Sequence, residues 1–486
     1  MKNKRALQIL FLANAISGFS QGVTMLAIPW YFTNHNQYPL YMFFYGLVTV
    51  GSLFWGLYAG ALIDGFNRKD VFLGTNFIQG LIILSIASLG FKEGSLPISL
   101  IIMVFTTTFF GYIIHYPNLY AFAQEISDPK DYTNVTSYIE IVGQFTYIAS
   151  SVLGVFLLDG VHTIEEFNFF GYVFSVPIEI RKWELHELFL LNSITYIISF
   201  VMIIFIRYVP VVNMTYIDEG DLSERLKTGY DFLKNNKLIT MFGICSYSVF
   251  IVLMVERFGL IANYVNNHLQ ERGNVLSLSE ALYATGSLAV GFIAGNVFES
   301  LPFFVRHFIR GFVLILTGYN IIFGNDPMPY IIATILLLPF FFANNYISRI
   351  MKNAPIPMLI ITFVIITSVG LFVNAFTQNP IVFFFVSFYL GIANAGSRIF
   401  RITYLFLLVP NEITGRVNSM FNVITTVFRS LFIWIFTIPF FSILSNVTYA
   451  YMCLGTFTTI AAIILITNYK KFLALTDKIL EQQRSH

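Results

Sequence analysis

Long apolar runs, each bounded by charge and nearly free of it inside, recur from one end of this chain to the other. A helix crosses the roughly 30 Å hydrocarbon core of a bilayer with about 20 apolar residues. By that measure the sequence predicts spans at 7–33, 41–64, 70–91, 97–123, 133–159 and 187–208. After a polar stretch it predicts more at 238–266, 277–299, 303–324, 329–350, 356–378, 380–408, 415–441 and 446–470. With 56% of 486 residues apolar and only 11% charged, the chain has too little polar surface for a soluble fold. The expectation is an all-α polytopic membrane protein. The first run follows Lys2, Lys4 and Arg5, is too long for the apolar part of a signal peptide and lacks a small-residue cleavage site, so it reads as a retained span.

Several function classes fall away on the same reading. A net charge of +2 without a compact Lys/Arg cluster gives no case for nucleic acid. No Gly-x-x-x-x-Gly-Lys-Ser/Thr occurs, so the chain is not expected to be its own ATP-driven pump. The seven His are scattered, with no His-Glu-x-x-His and no Cys-x-x-Cys, so neither a metal, a cofactor nor an enzymatic site is expected. Cys245 and Cys453 lie inside apolar runs far apart, and no disulfide framework follows from them.

Basic residues fix the sidedness, because cytoplasmic loops carry an excess of Lys and Arg. With the N-terminus inside, the outer loops hold only Lys92, Arg181, Lys182 and Arg272, while the inner segments collect the basic loop residues from Lys2 to Arg484. Both termini are therefore expected in the cytoplasm. The chain divides into a first transmembrane bundle at 1–208, a cytoplasmic linker at 209–237 with one amphipathic helix, a second bundle at 238–472 and a cytoplasmic tail at 473–486. Charge does not decide whether 303–324 and 329–350 both cross, since a re-entrant pair leaves the later loops on the same side. The outer segment 160–186, with Phe167, Phe169, Phe170 and Tyr172, is expected as a connector lying on the membrane surface.

Between the second and third runs stands Gly60-Ala61-Leu62-Ile63-Asp64-Gly65-Phe66-Asn67-Arg68-Lys69, a very short polar turn. A second feature is repeated. Pro129-Lys130-Asp131-Tyr132-Thr133-Asn134-Val135-Thr136-Ser137 and Pro410-Asn411-Glu412-Ile413-Thr414-Gly415-Arg416-Val417-Asn418-Ser419 each lead from the cytoplasmic side into a span, matching when Gly415 is allowed as an extra residue. Duplicated halves are a common ancestry of transporters.

The spacing Gly-x-x-x-Asp-x-x-x-Arg-Lys resembles the loop 2-3 signature of the major facilitator superfamily. The run from Tyr116 to Ser137 and the segment Leu407 to Ser419 resemble its bacterial branch that includes enterobactin and macrolide exporters. The resemblance implies two six-helix bundles around a central cavity, working by alternating access, with about 300–350 as an extra helix pair in the second bundle (12 + 2 spans). It also implies a gating role for Gly60, Asp64, Arg68 and Lys69, and for Glu412 and Arg416 in the repeat. One departure is visible: the Gly-Pro-rich signature usual in the fifth span of such exporters is Ile148-Ala149-Ser150-Ser151-Val152-Leu153-Gly154 here, without Pro.

Polar residues inside spans are the candidates for chemistry, because unpaired polarity is costly in hydrocarbon. Glu140, Gln144, Tyr147 and Ser151 form a stripe at helical spacing on the fifth span. Asn422, Thr425, Thr426 and Arg429 form one on the repeat-related span, and Asn14, Ser17, Gln21 and Thr24 one on the first. They either line a shared wet cavity or join helices by hydrogen bonds. Glu140 is the first candidate for a proton carrier and His115 the second, whose alternative is a hydrogen-bonded packing residue. Asn394, Arg398 and Arg401 share a face. The two guanidinium groups either receive an anionic substrate group or snorkel to the surface. A structural pair between Glu256 and Arg429 is a further expectation. The sequence thus predicts a monomeric carrier in a bacterial inner membrane that exports a small organic molecule in exchange for protons. Uptake or facilitated passage of a nutrient or lipid-like solute, or a receptor or scaffold that moves nothing, are the alternatives.

Overall fold

The computed structural model describes residues 4–127, 132–169, 172–207, 222–294, 349, 351, 353–410, 413–443 and 446–484. The segment 303–324, all of 329–350 but Arg349, and Glu412 lie outside the described residues, as do the side chains of Asp64 and Glu140 and the surroundings of Gly60.

Six long helices form the first set: α1 Lys4–Asn34, α2 Tyr38–Gly65, α3 Arg68–Glu93, α4 Ile98–Glu125, α5 Tyr132–Asp159 and α6 Leu185–Ile204. A shorter amphipathic helix, α7 Leu222–Asn235, occupies part of the polar stretch. A second set follows: α8 Lys237–His268, α9 Gly273–Ala294, α10 Ile356–Phe376, α11 Pro380–Leu408, α12 Thr414–Phe436 and α13 Val447–Thr467. The chain is a multi-pass membrane protein with an all-α membrane domain. The start of α1, the end of α13 and α7 lie at one end of the bundle, here the linker end.

Local chemistry places the breaks. Asn67 caps α3 by accepting the Lys69 amide at 2.9 Å, and Asn379 caps α11 by accepting the Ile381 amide at 2.9 Å. Pro near the start of α2, α10 and α11 costs no hydrogen bond in the first turn. Gly94 ends α3 at φ +76°, where a side chain would be strained.

One region goes beyond what was expected of it. The segment after α5 is no irregular connector: Val161–Phe169 (β1) and Tyr172–Ile180 (β2) pair antiparallel, in register from Val161 with Ile180 to Phe169 with Tyr172. Nine-residue segments rich in Val, Ile, Thr and aromatics suit paired strands better than a surface coil. The ribbon marks the opposite end of the bundle, the hairpin end, and the Trp183 amide fixes its base to the Leu157 carbonyl at 2.8 Å. After α13 the chain continues as α14, Tyr469–Arg484, where the Phe472 carbonyl accepts the Tyr404 hydroxyl at 3.0 Å.

The apolar core shows how the two sets meet. A large buried cluster joins hairpin-end residues of the first set, such as Ile28, Tyr41, Tyr45 and Phe105, to residues of the second set from Val249 to Phe436. At the linker end the first set keeps cores of its own, one around Leu10, Phe72 and Phe122 and another around Ala59, Ile63 and Ile114. Among the described residues the sets share a core at one end only.

Candidate functional site

Close packing of α1 and α5 against α8 and α9 builds the junction between the sets. Gly154 sits where a Cβ would lie 2.9 Å from Leu26 and 3.4 Å from the Ser277 hydroxyl, so the backbones approach through a small residue. On the other flank Gly46 of α2 would meet Trp434 of α12 at 3.2 Å. The Tyr41 hydroxyl donates to the Phe258 carbonyl at 2.5 Å and the Tyr45 hydroxyl to that of Met254 at 3.1 Å. These acceptors are available because α8 is irregular there. Glu256–Leu260 and Tyr264–His268 are two π-helical turns around Ile261–Asn263, and such turns free carbonyls from the regular ladder.

The same distortion turns two consecutive charged residues, Glu256 and Arg257, into the interior. Arg257 Nη1 donates to Glu280 Oε1 of α9 at 2.9 Å. Arg257 Nε and Glu256 Oε2 are 3.0 Å apart but off the hydrogen-bonding axis, and neither atom has a hydrogen-bond partner. The Tyr451 hydroxyl of α13 donates to Glu256 Oε1 at 3.0 Å, and the Tyr147 hydroxyl of α5 donates to Glu280 Oε2. The guanidinium lies 3.9 Å over the Tyr283 ring, a cation–π contact. Arg257 and Glu280, with Tyr147 and Ser151, face a recess of ≈ 440 Å³ between the sets, counting its open mouth.

Of these residues, Tyr147 and Ser151 stand in a stripe expected to line the cavity, and Glu256 in an expected ion pair. Glu280 and Arg257 were not singled out from the sequence, although each is a charge inside a predicted span, which was the available signal. The expected pair of Glu256 with Arg429 does not form. Glu256 is taken up by Arg257 and Tyr451, whereas Arg429 Nε is enclosed without a partner and the residue is in electrostatic reach of Tyr45.

The other candidates divide. Asn14 Oδ1 lies 2.6 Å from His115 Nε2, joining α1 to α4. The Asn394 amide donates to the Tyr283 hydroxyl at 2.6 Å, which ties α11 to the residue beneath Arg257. Arg401 is 3% exposed, donates to the Ser246 carbonyl at 3.2 Å and stacks 3.8 Å over Tyr247, so it does not snorkel. Arg398 is half-buried one turn from Asn394; Gln21 and Gln144 are also half-buried, while Asn422 is exposed. At the linker end Arg68 donates to the Ile63 carbonyl, and Lys69 Nζ reaches the Ile204 and Ile206 carbonyls at 2.8 and 2.9 Å. Those bonds stay within the first set. The Arg416 carbonyl of α12 packs against Gly229 of α7. No group of three or more metal-ligating side chains occurs among the described residues.

The family model described as Major Facilitator Superfamily matches residues 10–433. No curated protein sequence matches the chain. Among solved structures it is similar to a bacterial homolog of the human lysosomal transporter Spinster, inward-facing and occupied, at TM-score 0.62 and 10% identity over 98% of both chains. It is also similar to a mutant form of the nucleoside transporter NupG, at 0.58 and 12% over 96% of this chain and 99% of that one. A third is a bacterial homologue of the iron transporter ferroportin in an inward-facing state, at 0.57 and 14% over 95% and 98%. At these identities the likeness concerns the fold.

Proposed function

The chain belongs to the major facilitator superfamily, and from that premise we propose that it is a secondary active transporter that exports a small organic molecule from the cytoplasm in exchange for protons. The observation that carries this reading is the one-ended junction: the two helix sets share a core at the hairpin end and keep separate cores at the linker end. A carrier that rocks between two openings needs such a contact at one end at a time. The excess of basic residues supports a linker end facing the cytoplasm, in a bacterial inner membrane, and with it an inward-open reading of this conformation.

In this reading Asn14, Gln21, Gln144, Tyr147, Asn394, Arg398, Asn422 and Arg429 belong to the solute path. Arg398 and the enclosed Arg401 favour solutes with a carboxylate or phosphate, which a guanidinium fork matches. Glu140, in the first half of α5, and His115 exchange protons with the cavity. Asp64, Arg68, Lys69, Gly60, Glu412 and Arg416 gate the linker end. In the inward-open state Arg68 and Lys69 rest on carbonyls of their own set, which leaves them to bridge the sets when that end closes.

The test begins with compounds that build up in cells lacking the protein. Each is loaded into proteoliposomes containing it, and a proton gradient is imposed. Solute should leave the cytoplasmic-face compartment as protons enter it, and a protonophore should stop the movement. A protein whose removal changes no cellular pool, and whose liposomes move no pool compound under a gradient, would refute the reading.

A further inference from the structure

The buried cluster at the closed end has an odd charge count. Glu256, Arg257 and Glu280 are 0%, 7% and 2% exposed, and two carboxylates with one guanidinium sum to one excess negative charge. Among the described residues Arg257 is the only cation paired with either carboxylate. The α5, α9 and α13 neighbours contribute the neutral hydroxyls and ring of Tyr147, Tyr283 and Tyr451. Tyr264 spends its hydroxyl proton on the Asn374 and Thr377 carbonyls, and Arg398 of α11 acts on Tyr283. A net charge sealed in a low-dielectric interior is strongly disfavoured, so a proton resolves the count.

Geometry says which carboxyl holds it. Glu280 accepts a guanidinium hydrogen bond on one oxygen and a phenol hydrogen bond on the other, the arrangement of an ionised carboxylate. Glu256 accepts one phenol, and its second oxygen faces Arg257 off-axis with no hydrogen bond. That oxygen is the place for the proton. Moreover, the Tyr147–Glu280 bond joins α5 of the first set to α9 of the second, so the cluster's charge state acts on the closure itself.

We propose that Glu256 is protonated whenever the hairpin end is closed, and that loss of this proton unlatches the two helix sets. The O–H bond of Glu256 breaks when water reaches it past Arg257 and Glu280, which line the recess, and that water takes the proton. The new carboxylate then competes for Arg257, whose Nε already stands 3.0 Å away. Glu280 loses its guanidinium partner, is left buried on Tyr147 alone, and is stabilised only when water enters as the sets part. Protonation thus favours the inward-open state and deprotonation the outward-open one. This rests on the transport reading for its purpose, since it returns an empty exporter inward with a proton from outside.

The test needs no substrate. Spin labels are placed at Asn36→Cys and Gln378→Cys, at hairpin-end turns of the two sets, in a background where Cys245 and Cys453 are replaced by Ser. Their distance distribution is measured in lipid nanodiscs from about pH 5 to 9. For one proton the ratio of closed to open populations should change by up to about tenfold per pH unit through the titration. Glu256→Gln should stay closed across the range and lose the slope, while Glu256→Asp should keep it. Should Glu256→Gln not fold, Tyr451→Phe, which removes the hydrogen bond from α13 to Glu256, should move the midpoint. A flat wild-type profile, or an unchanged slope in Glu256→Gln or unchanged midpoint in Tyr451→Phe, overturns the proposal. A pH-driven latch in a protein that moves no solute would instead uphold it and sink the transport reading.

Discussion

Gly391 offers a sharp test of how the second helix set is held together. A methyl group there would stand 2.8 Å from the Tyr283 carbonyl carbon and 3.1 Å from the Ser287 amide nitrogen, both on the backbone of α9. Carbon atoms prefer about 3.5–4.0 Å, so Gly391→Ala forces α9 and α11 apart by roughly 1 Å. Backbone cannot swing aside as a side chain does. The separation stretches the Ser287 hydroxyl bond to the Gly391 carbonyl, now 3.0 Å, and the Asn394 bond to Tyr283, now 2.6 Å. Overpacking of this kind costs about 1–3 kcal/mol, and a weakened hydrogen bond adds about 0.5–1.5, for a total of roughly 2–4 kcal/mol. Gly74→Ala is the control: nothing lies within 4 Å of its Cβ position on α3, and replacing a helical Gly gains up to about 1 kcal/mol. Both variants are unfolded by SDS titration in mixed micelles and followed by tryptophan fluorescence. If Gly391→Ala matches Gly74→Ala in stability, the backbone contact inferred between α9 and α11 is wrong.

Two further outcomes can be checked with the same assay. Lys69→Met removes two hydrogen bonds from carbonyls at the end of α6 and should destabilise by about 1–2 kcal/mol, whereas Lys69→Arg should recover most of the loss; equal stability of all three would show that Lys69 holds nothing in this state. Asn14→Leu strips His115 of its partner and should cost about 1–3 kcal/mol, while the Asn14→Leu/His115→Phe pair should cost less than Asn14→Leu alone; a double variant worse than the single would contradict a paired, packing role.

The multi-pass architecture was legible in the residues, because twenty-residue apolar runs have no other stable home than a bilayer, and the short turn at Asp64 to Lys69 pointed to the family that the match over 10–433 establishes. The ribbon at 161–180 was less legible, since its aromatics suggested only an affinity for the membrane surface. For the site, the sequence named Tyr147 and Asn394 but could not say what either touches. Glu140 was read from a stripe on one helix, a pattern that periodicity makes visible within a single element. The Glu256–Arg257–Glu280 cluster needs α5, α8, α9 and α13 together, with partners up to 195 positions apart in the chain. Helical periodicity therefore determined which residues share a face and which segments cross the membrane. Only the packing of the two sets decided which buried charges meet, because a charge pair in hydrocarbon is fixed by where distant helices touch, and a single helix carries no record of its neighbours.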